Sequence, residues 1–320
     1  MLKAGLVGAG HLGKIHLKLL NQSEKYELVG FHDADKENGQ KIEREFGYRF
    51  FENFDELLSQ IEVLDIVTPT LYHYDYAMKA IANGKHFFIE KPVTHTLEQA
   101  EELLSQCEAK GLMAQVGHVE RYNPAFIATK EYIHNPMFIE IHRLAEFNPR
   151  GTDVSVVLDL MIHDLDILLS LVASKVKSIR ASGVCVVSKT PDIANARIEF
   201  ENGCVANLTT SRISMKAMRK SRFFQQDAYI SVDFLEKKAE VIRMKQAPEN
   251  PTPFDMIIEN AEGERNQILF EYPDIQPNNA ILDELNSFAQ AIENGKNVEI
   301  SLKDGTEALK VALEIMKLIG

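Results

Sequence analysis

Cysteine, tryptophan, positive charge and long apolar runs are all scarce in this sequence. Its 320 residues include three cysteines and no tryptophan. Cys107, Cys185 and Cys204 are odd in number and lack the paired spacing of metal ligands, which argues against a disulfide-stapled scaffold and against a cysteine metal site. They are typical of small core residues in a reducing compartment.

The scarcity of long apolar runs and of basic residues narrows the partners. No apolar stretch reaches the ~18 residues of a membrane span, which predicts no membrane partner. The first strand-like run begins at Leu2, which leaves no room for a signal peptide, so we expect a cytoplasmic protein. The excess of 47 acidic over 35 basic residues gives a net charge of −12, which argues against nucleic acid. Basic residues do cluster at 216–222, which indicates either a solvated basic loop or a site for an anionic ligand.

A glycine motif near the N-terminus organises the first part of the chain. A short apolar run, residues 4–7, leads into Gly8-Ala9-Gly10-His11-Leu12-Gly13, and an amphipathic segment follows. This order predicts a strand, a tight turn and a helix. The first glycine permits the turn, the second lets a pyrophosphate approach the backbone, and the third lets the helix pack on the strand. The helix N-terminus favours phosphate, which indicates dinucleotide binding.

Asp33 favours NAD over NADP as the cofactor. It closes the next apolar run, twenty positions after Gly13, where a carboxylate accepts hydrogen bonds from the ribose hydroxyls. The same carboxylate repels a 2′-phosphate, and no arginine follows until Arg44. The alternative role for Asp33 is to cap the helix predicted at 35–46.

The first third of the chain alternates short apolar runs with amphipathic segments. Strands are predicted at 2–7, 27–32, 49–51, 64–67, 86–89 and 113–116. Helices are predicted at 11–22, 35–46, 54–60, 72–83 and 96–110. This alternation predicts a doubly wound parallel sheet, an α/β Rossmann domain over residues 1–119.

The rhythm changes after about residue 120, where strand-like runs follow one another. Strands are predicted at 137–146, 176–188, 194–201, 204–212, 228–235, 238–244 and 267–272. Helices are predicted at 155–172, 280–294 and 303–319. Asn202-Gly203 suits a type I′ hairpin turn, and 246–265 is expected to be a surface excursion. Residues 120–320 therefore form an α+β domain with a large, open, mostly antiparallel sheet, of the kind that pairing buries in a homodimer or homotetramer.

Ligands of parallel sheets bind beyond the carboxyl ends of the strands. Lys91 follows such a strand directly, and Pro92 holds it extended, so its ammonium should enter the crevice. We expect that the Lys91–Pro92 peptide bond is cis. The alternative for Lys91 is an exposed loop lysine.

The helix predicted at 155–172 carries a polar stripe beside its apolar one. Asp159 and His163 lie one turn apart, so a carboxylate can orient an imidazole and raise its basicity. Such a pair can act as a general base for alcohol oxidation. The alternative is a solvated polar face. The nearby Asp164 and Asp166 do not converge with His163 on a metal, so no metal site is predicted.

Three motifs together resemble the glucose-fructose oxidoreductase / inositol dehydrogenase / MocA family. They are the glycine motif at 8–13, Glu90-Lys91-Pro92 and Asp159-x-x-x-His163, and the resemblance covers essentially the whole chain. It implies that Lys91 lies near the nicotinamide and the reacting hydroxyl, that His163 is the acid/base and that Asp159 is its partner. Residues 154–158 depart from the glycine-rich stretch of many sugar and polyol enzymes of the family, which leaves the substrate class open. Residues 116–124 resemble the branch that oxidises the 3-hydroxyl of UDP-N-acetylglucosamine-type sugars.

The candidate residues fall into three overlapping groups. The predicted catalytic residues are Lys91, Asp159 and His163. The predicted cofactor-binding residues are Gly8, Ala9, Gly10, His11, Leu12, Gly13, Asp33, Thr68, Pro69, Thr70, His73, Glu90 and Lys91. The predicted substrate-binding residues are Lys91, Arg121, Tyr122, Asn123, Asp159, His163 and Arg212. A capped helix start before Pro124 equally explains residues 121–123.

The sequence thus predicts an NAD-dependent oxidoreductase that acts on a secondary hydroxyl of a sugar or nucleotide sugar. Two alternatives stay open. One is an enzyme that oxidises and then re-reduces its sugar with the same bound NAD while a glycosidic bond is cleaved. The other is a dinucleotide-binding sensor without turnover.

Overall fold

The computed structural model describes residues 1–148 and 154–320, which form two compact units. The first unit takes Met1–Tyr122 and Asn279–Lys310, and the second takes Asn123–Asn278 and Val311–Gly320. This division differs from the contiguous domains 1–119 and 120–320, because a segment near the C-terminus joins the first unit. Leu285 and Phe288 of that segment share a buried cluster with Leu6 of the first strand.

The first unit is built around a parallel sheet, as predicted. Its elements before residue 123 are β1 (Leu2–Val7), α1 (His11–Gln22), β2 (Tyr26–His32), α2 (Lys36–Phe46), α3 (Phe54–Gln60), β3 (Val63–Ile66), α4 (His73–Ala82), β4 (His86–Glu90), α5 (Leu97–Ala109) and β5 (Ala114–Gly117). In this part of the chain the sheet has five strands in the order β2-β1-β3-β4-β5, and all neighbours are parallel. The central β3 is buried along its whole length, as a strand covered by helices on both faces must be.

The strand predicted at 49–51 is wrong. Only Phe50 makes a bridge, to Phe31, and the main chain of Phe31 bonds to Arg49 and Phe51 on either side. Gly47 ends α2 in the left-handed conformation. Too few residues remain after that helix end to extend a sixth strand along the sheet.

The second unit is dominated by a mixed sheet. Its elements are α6 (Pro124–Thr129), β6 (Phe138–Leu144), α7 (Ile162–Leu171), β7 (Val176–Val184), β8 (Ile193–Phe200), β9 (Val205–Ser211), β10 (Met218–Phe224), β11 (Ala228–Asp233), β12 (Lys238–Gln246), β13 (Met256–Glu259) and β14 (Arg265–Glu271). Among the described residues, nine strands pair in the order β13-β14-β12-β11-β10-β6-β9-β8-β7. Only β6 and β9 pair in parallel there, so the predicted open, mostly antiparallel sheet is confirmed.

Two local predictions about the second unit are wrong. The solvated loop considered for 216–222 is confined to its first two residues, because β10 begins at Met218 and lies inside the sheet between β6 and β11. The charged side chains of this strand conceal its alternation, in which Ser221 and Phe223 are buried. The excursion predicted at 246–265 does lie at the surface, and it contains the edge strand β13. At the hairpin after β8, only Gly203 has a positive φ, so the turn is a three-residue loop ending in a left-handed glycine rather than type I′.

The chain ends in two helices, α8 (Ala280–Asn294) and α9 (Leu302–Ile319). Asn279 caps α8 through its side chain, and Gly295 ends it in the left-handed conformation. The C-terminal part of α9 contributes Val311, Ala312 and Ile315 to the core of the second unit. In the described ranges, no helix has both the length and the apolar character needed to cross a membrane.

Candidate active site

The glycine motif forms the floor of a cleft in the first unit. Gly8 has a φ of 94°, and a Cβ there would lie 2.7 Å from the backbone nitrogen of Thr68. A Cβ on Gly13 would overlap the carbonyl oxygen of Gly8, so α1 packs directly on the turn. A Cβ on Gly10 would meet nothing within 4 Å, because Gly10 borders open space at the start of α1. This open N-terminal turn fits the pyrophosphate of a dinucleotide.

Asp33 ties this turn to the end of β2. Its Oδ2 accepts the N–H of Ala9 at 2.7 Å and the side-chain amide of Asn38 at 3.3 Å. Its Oδ1 accepts the N–H of Asp35 at 2.8 Å. The cap of α2 is Asp35, whose side chain accepts the N–H of Asn38, so the capping role considered for Asp33 belongs to its neighbour.

The cleft has a volume of about 750 Å³. It is lined by Val7, Gly8, Gly10, His11, Leu12, Asp33, Ala34, Asp35, Asn38, Val67, Thr68, Pro69, Tyr72, Tyr76, Glu90 and Lys91. Of the predicted cofactor-binding residues, Ala9, Gly13, Thr70 and His73 are not among them. Ala9 and Gly13 shape the turn from behind. Thr70 begins a short 3₁₀ turn, Thr70–Tyr72.

Tyr72 and Tyr76 both line the cleft, although the sequence analysis did not predict them as site residues. They lie one helical turn apart around the start of α4, just after the carboxyl end of β3. This spacing puts both rings on one helix face, which is the signal that identifies them. Asn38 was also missed, and its side chain donates to the carbonyl of Ala9 at 3.3 Å.

His73 braces two loops at the edge of the parallel sheet. It is buried, with Nδ1 2.9 Å from the carbonyl oxygen of Pro92 and Nε2 2.8 Å from that of Thr68. Burial lowers the pKa of His73, although both carbonyls oppose the shift. These two contacts hold the His73 ring between the loops. Its contact with a cofactor stays a prediction.

Lys91 follows β4 directly and lines the cleft, as the sequence predicts. The Lys91–Pro92 peptide bond is cis, which confirms the expectation. Glu90 lines the cleft beside it and accepts the backbone N–H of Lys91 on Oε2 at 3.2 Å.

Residues 121–123 have structural partners within their own units. The Arg121 guanidinium lies 3.5 Å from the carbonyl oxygen of Glu299 and 4.0 Å from a carboxylate oxygen of Asp304. Burial raises the pKa of Tyr122. Asn123 caps α6 through the N–H of Ala125 and donates to the carbonyl of Phe234 at 3.0 Å. The capped helix start considered for this segment is therefore present, and substrate contact stays a prediction.

Asp159 and His163 lie where one turn of π-helix, Val157–Met161, passes into α7. The wider turn alters the 3.6-residue spacing that the predicted single helix assumed. Leu158 is half-buried and Asp166 is buried. Asp159 is exposed and His163 is half-buried. A π-turn of this kind often marks a functional site.

The remaining basic candidates are held within the second unit. Arg212 is nearly wholly buried, and it donates to the carbonyls of Val154 at 2.6 Å and Pro191 at 3.3 Å. It thereby braces the approach to the π-turn, and its role toward substrate stays a prediction. Arg222, from the basic segment, pairs across strands with Glu140 at 3.1 Å. Across residues 1–148 and 154–320, no three His, Cys, Asp or Glu side chains are grouped as metal ligands.

Comparison with known proteins agrees with the dinucleotide-binding geometry of the cleft. A family model described as an oxidoreductase family with an NAD-binding Rossmann fold matches residues 2–118. A second, described as the GFO/IDH/MocA C-terminal domain, matches residues 137–228. Together the two models cover more than half of the chain.

Several curated relatives match almost end to end, and two of them illustrate the range of identity. UDP-N-acetylglucosamine 3-dehydrogenase of Acidithiobacillus ferrooxidans is 32% identical, over 98% of this chain and 96% of the relative. Scyllo-inositol 2-dehydrogenase (NAD(+)) of Bacillus subtilis is 26% identical, over 98% of this chain and 92% of the relative. The solved structure of the Acidithiobacillus enzyme superposes with a TM-score of 0.89 at 31% identity, covering 99% of this chain and 97% of that one.

Proposed function

The chain belongs to the GFO/IDH/MocA family of NAD-binding oxidoreductases, and from that premise we propose that it oxidises the 3-hydroxyl of a UDP-N-acetylhexosamine. The single observation that carries the substrate is the near full-length similarity to the Acidithiobacillus UDP-N-acetylglucosamine 3-dehydrogenase. The proposed chemistry rests on the cleft of the first unit, which fits NAD. Lys91 lines this cleft directly after the end of β4.

The glycine turn, the start of α1 and Asp33 would hold the cofactor. NAD supplies a hydride acceptor when it is bound. The carboxylate of Asp33 suits ribose hydroxyls and opposes a 2′-phosphate. No arginine lines the described cleft to attract such a phosphate.

We assign the proton chemistry to three side chains. His163 takes the proton of the reacting hydroxyl on a ring nitrogen, and Asp159 stabilises the imidazolium that results. The ammonium of Lys91 stabilises the negative charge that develops on the substrate oxygen. Positioned acid–base groups contribute roughly 10²–10⁴-fold to rate, and an electrostatic donor contributes about 10²–10³-fold.

The first experiment incubates the protein with NAD and a panel of UDP-sugars, free sugars and inositols, and follows the absorbance of reduced nicotinamide. We expect a rise with a UDP-N-acetylhexosamine. A rise only with free sugars or inositols would support the oxidation reaction and reject a nucleotide sugar as the substrate. Silence across the panel, with NAD retained through purification, would replace net oxidation by cofactor recycling or by a sensor.

The catalytic assignment is tested by Lys91→Ala and His163→Ala. Each change should lower kcat by roughly 10²-fold or more while NAD still binds, because neither removes the glycine turn. Lys41→Ala and His134→Ala remove exposed residues of the same types and serve as matched controls. Wild-type kcat in either active-site variant would refute the role of that residue.

A further inference from the structure

A buried group of three titratable side chains lies within the first unit, apart from the glycine turn. His16 comes from α1, Asp65 from β3 and Glu90 from the end of β4. The His16 Nδ1 lies 2.9 Å from Oδ2 of Asp65, and its Nε2 lies 3.4 Å from Oε1 of Glu90. The side chains of His16 and Asp65 are almost inaccessible, and that of Glu90 is 13% exposed.

The two acidic neighbours favour a charged imidazole. A ring with an ionised carboxylate near each nitrogen pairs with both only when both nitrogens carry a proton. The contact of Nε2 with Glu90 at 3.4 Å is an ion pair rather than a hydrogen bond. Burial opposes the charge, but Asp65 and Glu90 outweigh it and raise the pKa of His16 to about 10. Asp65 competes for this proton, because burial raises its pKa as well, although His16 opposes that shift. Burial raises the pKa of the Tyr26 phenol beyond reach, and the ring of Phe88 is apolar.

Glu90 links the buried His16 ring to the backbone of Lys91. Its Oε1 faces His16, and its Oε2 accepts the backbone N–H of Lys91. In the next strand Gly117 lies directly opposite Glu90. A Cβ at Gly117 would come 2.7 Å from Oε1, so the glycine makes the space in which the carboxylate lies. The carboxylate is thus fixed by a helix, a neighbouring strand and the main chain of Lys91.

We propose that His16 is a positioning residue for the reaction, acting through Glu90 on Lys91. The imidazolium holds the carboxylate of Glu90 in one place, and that carboxylate fixes the point at which the chain leaves β4 and the ammonium enters the cleft. His16 itself touches no substrate. This inference rests on the proposed function, because it gives Lys91 a reacting group to serve.

Two substitutions at His16 separate positioning from simple support of the fold. In His16→Gln the amide nitrogen reaches the place of Nε2 and keeps the donor to Glu90. In His16→Asn it reaches the place of Nδ1 and keeps only the donor to Asp65. Both remove the charge, so both should lower the thermal midpoint by a similar amount.

Turnover should distinguish the two variants. We expect His16→Asn to lower kcat about tenfold or more and His16→Gln no more than about threefold, because a small displacement of a catalytic group is costly. The KM for NAD should stay unchanged in both. Gly117→Ala, which displaces the Glu90 carboxylate, should resemble His16→Asn. His86→Asn changes a histidine at the opposite end of the same strand and should leave kcat unchanged. Equal losses of kcat in His16→Asn and His16→Gln would overturn the proposal.

A measurement without turnover tests the network alone. In ¹⁵N spectra of histidine-labelled wild-type protein at about pH 8, the His16 ring should be doubly protonated, in keeping with its raised pKa. The His16 variants identify the signal by its loss. A ring without a proton on Nε2 overturns the proposal. A wild-type protein inactive on every substrate rejects the proposed function, and a doubly protonated ring in that same protein still supports the network.

Discussion

Asp33 shows at the residue scale how one side chain serves both fold and cofactor. Its carboxylate holds the N–H of Ala9, so it fixes the glycine turn, and it also lines the cleft where a ribose would lie. Its distance from Gly13 along the chain was enough to predict the second role. The first role could not be predicted, because the bond to Ala9 spans 24 residues and forms only when β1 and β2 pair.

We predict that Asp33→Asn weakens NAD binding and reduces the preference for NAD over NADP. The amide keeps an oxygen for the Ala9 N–H but loses the charge, and a hydrogen bond to a charged group contributes about 1.5–3 kcal/mol. The dissociation constant for NAD should rise by roughly one to two orders of magnitude. Calorimetric titration with both cofactors measures this. Glu37→Gln, an exposed acid in the first turn of α2, is the control. Unchanged affinities for both cofactors would refute the role of Asp33.

The glycine turn and α1 behave as one element in which each glycine has a different reason to be small. Gly13 is required by packing and Gly10 by access, since a Cβ would overlap the main chain at Gly13 and enter open space at Gly10. The motif spacing predicted both roles, because the geometry of a strand, turn and helix is local. The π-turn before α7 was not predicted, because periodicity alone does not reveal one extra residue in a helical turn.

We predict opposite consequences for Gly10→Ala and Gly13→Ala. Gly10 has a φ of −68°, which alanine adopts freely, so Gly10→Ala should keep the wild-type thermal midpoint and bind NAD at least about tenfold more weakly. Gly13→Ala forces α1 away from the turn and should destabilise the protein by about 1–3 kcal/mol. Thermal melts and NAD titrations of both variants provide the check. A stable Gly13→Ala protein would show that the turn can relax.

The hairpin between β7 and β8 depends on one buried carboxylate. Oδ2 of Asp192 accepts the N–H groups of Val186, Val187 and Ser188 at 2.7–2.9 Å. Burial opposes the charge, yet these donors hold the pKa of Asp192 well below its usual range. A lowered pKa in the folded state means that the stabilisation is complete above the unfolded value of about 3.9 and is lost as the pH falls below it.

We therefore predict that Asp192→Asn lowers the free energy of unfolding most at neutral pH. The difference in the free energy of unfolding from wild type should be constant above about pH 5 and should narrow below about pH 4. Urea unfolding of both proteins, above about pH 5 and below about pH 4, measures this difference. Asp227→Asn, at an exposed aspartate beside β11, should show little effect at either pH. A difference for Asp192→Asn that does not change with pH would mean that shape rather than charge matters there.

At the scale of the whole molecule, one face of the sheet in the second unit carries side chains that lie outside the core cluster of the described residues. Opposite residues in successive strands form an apolar row on that face: Phe138, Phe224, Tyr229, Ile242 and Phe270. Their sequence neighbours Ile139, Phe223, Ile230 and Val241 are buried in the core on the other side. Phe224 and Phe270 are exposed, and the other three side chains of the row are half-buried. Contiguous apolar surface is typical of a protein–protein interface, so we propose that two copies pair through this row.

We predict that Phe270→Lys disrupts a dimer or tetramer of the wild-type chain. Phe270 is 50% exposed, and a lysine ammonium there would have to be desolvated in the interface. Light scattering after size exclusion measures the mass. Leu318→Lys is the control, because Leu318 is 49% exposed but lies on α9, outside the row. A wild-type monomer would reject the interface, and an unchanged oligomer of Phe270→Lys would place it elsewhere.

The sequence by itself determined the order of the elements, the glycine turn, Asp33 at the end of β2 and Lys91 after β4. Each of these follows from spacing within one element or between neighbours in the chain, where backbone geometry allows few alternatives. Only the tertiary structure decided that 279–310 joins the first unit, that β10 lies inside the sheet and that His16 and Gly117 both meet Glu90. Those outcomes depend on contacts between residues far apart in sequence, and a local pattern of polarity does not specify which partner a side chain meets.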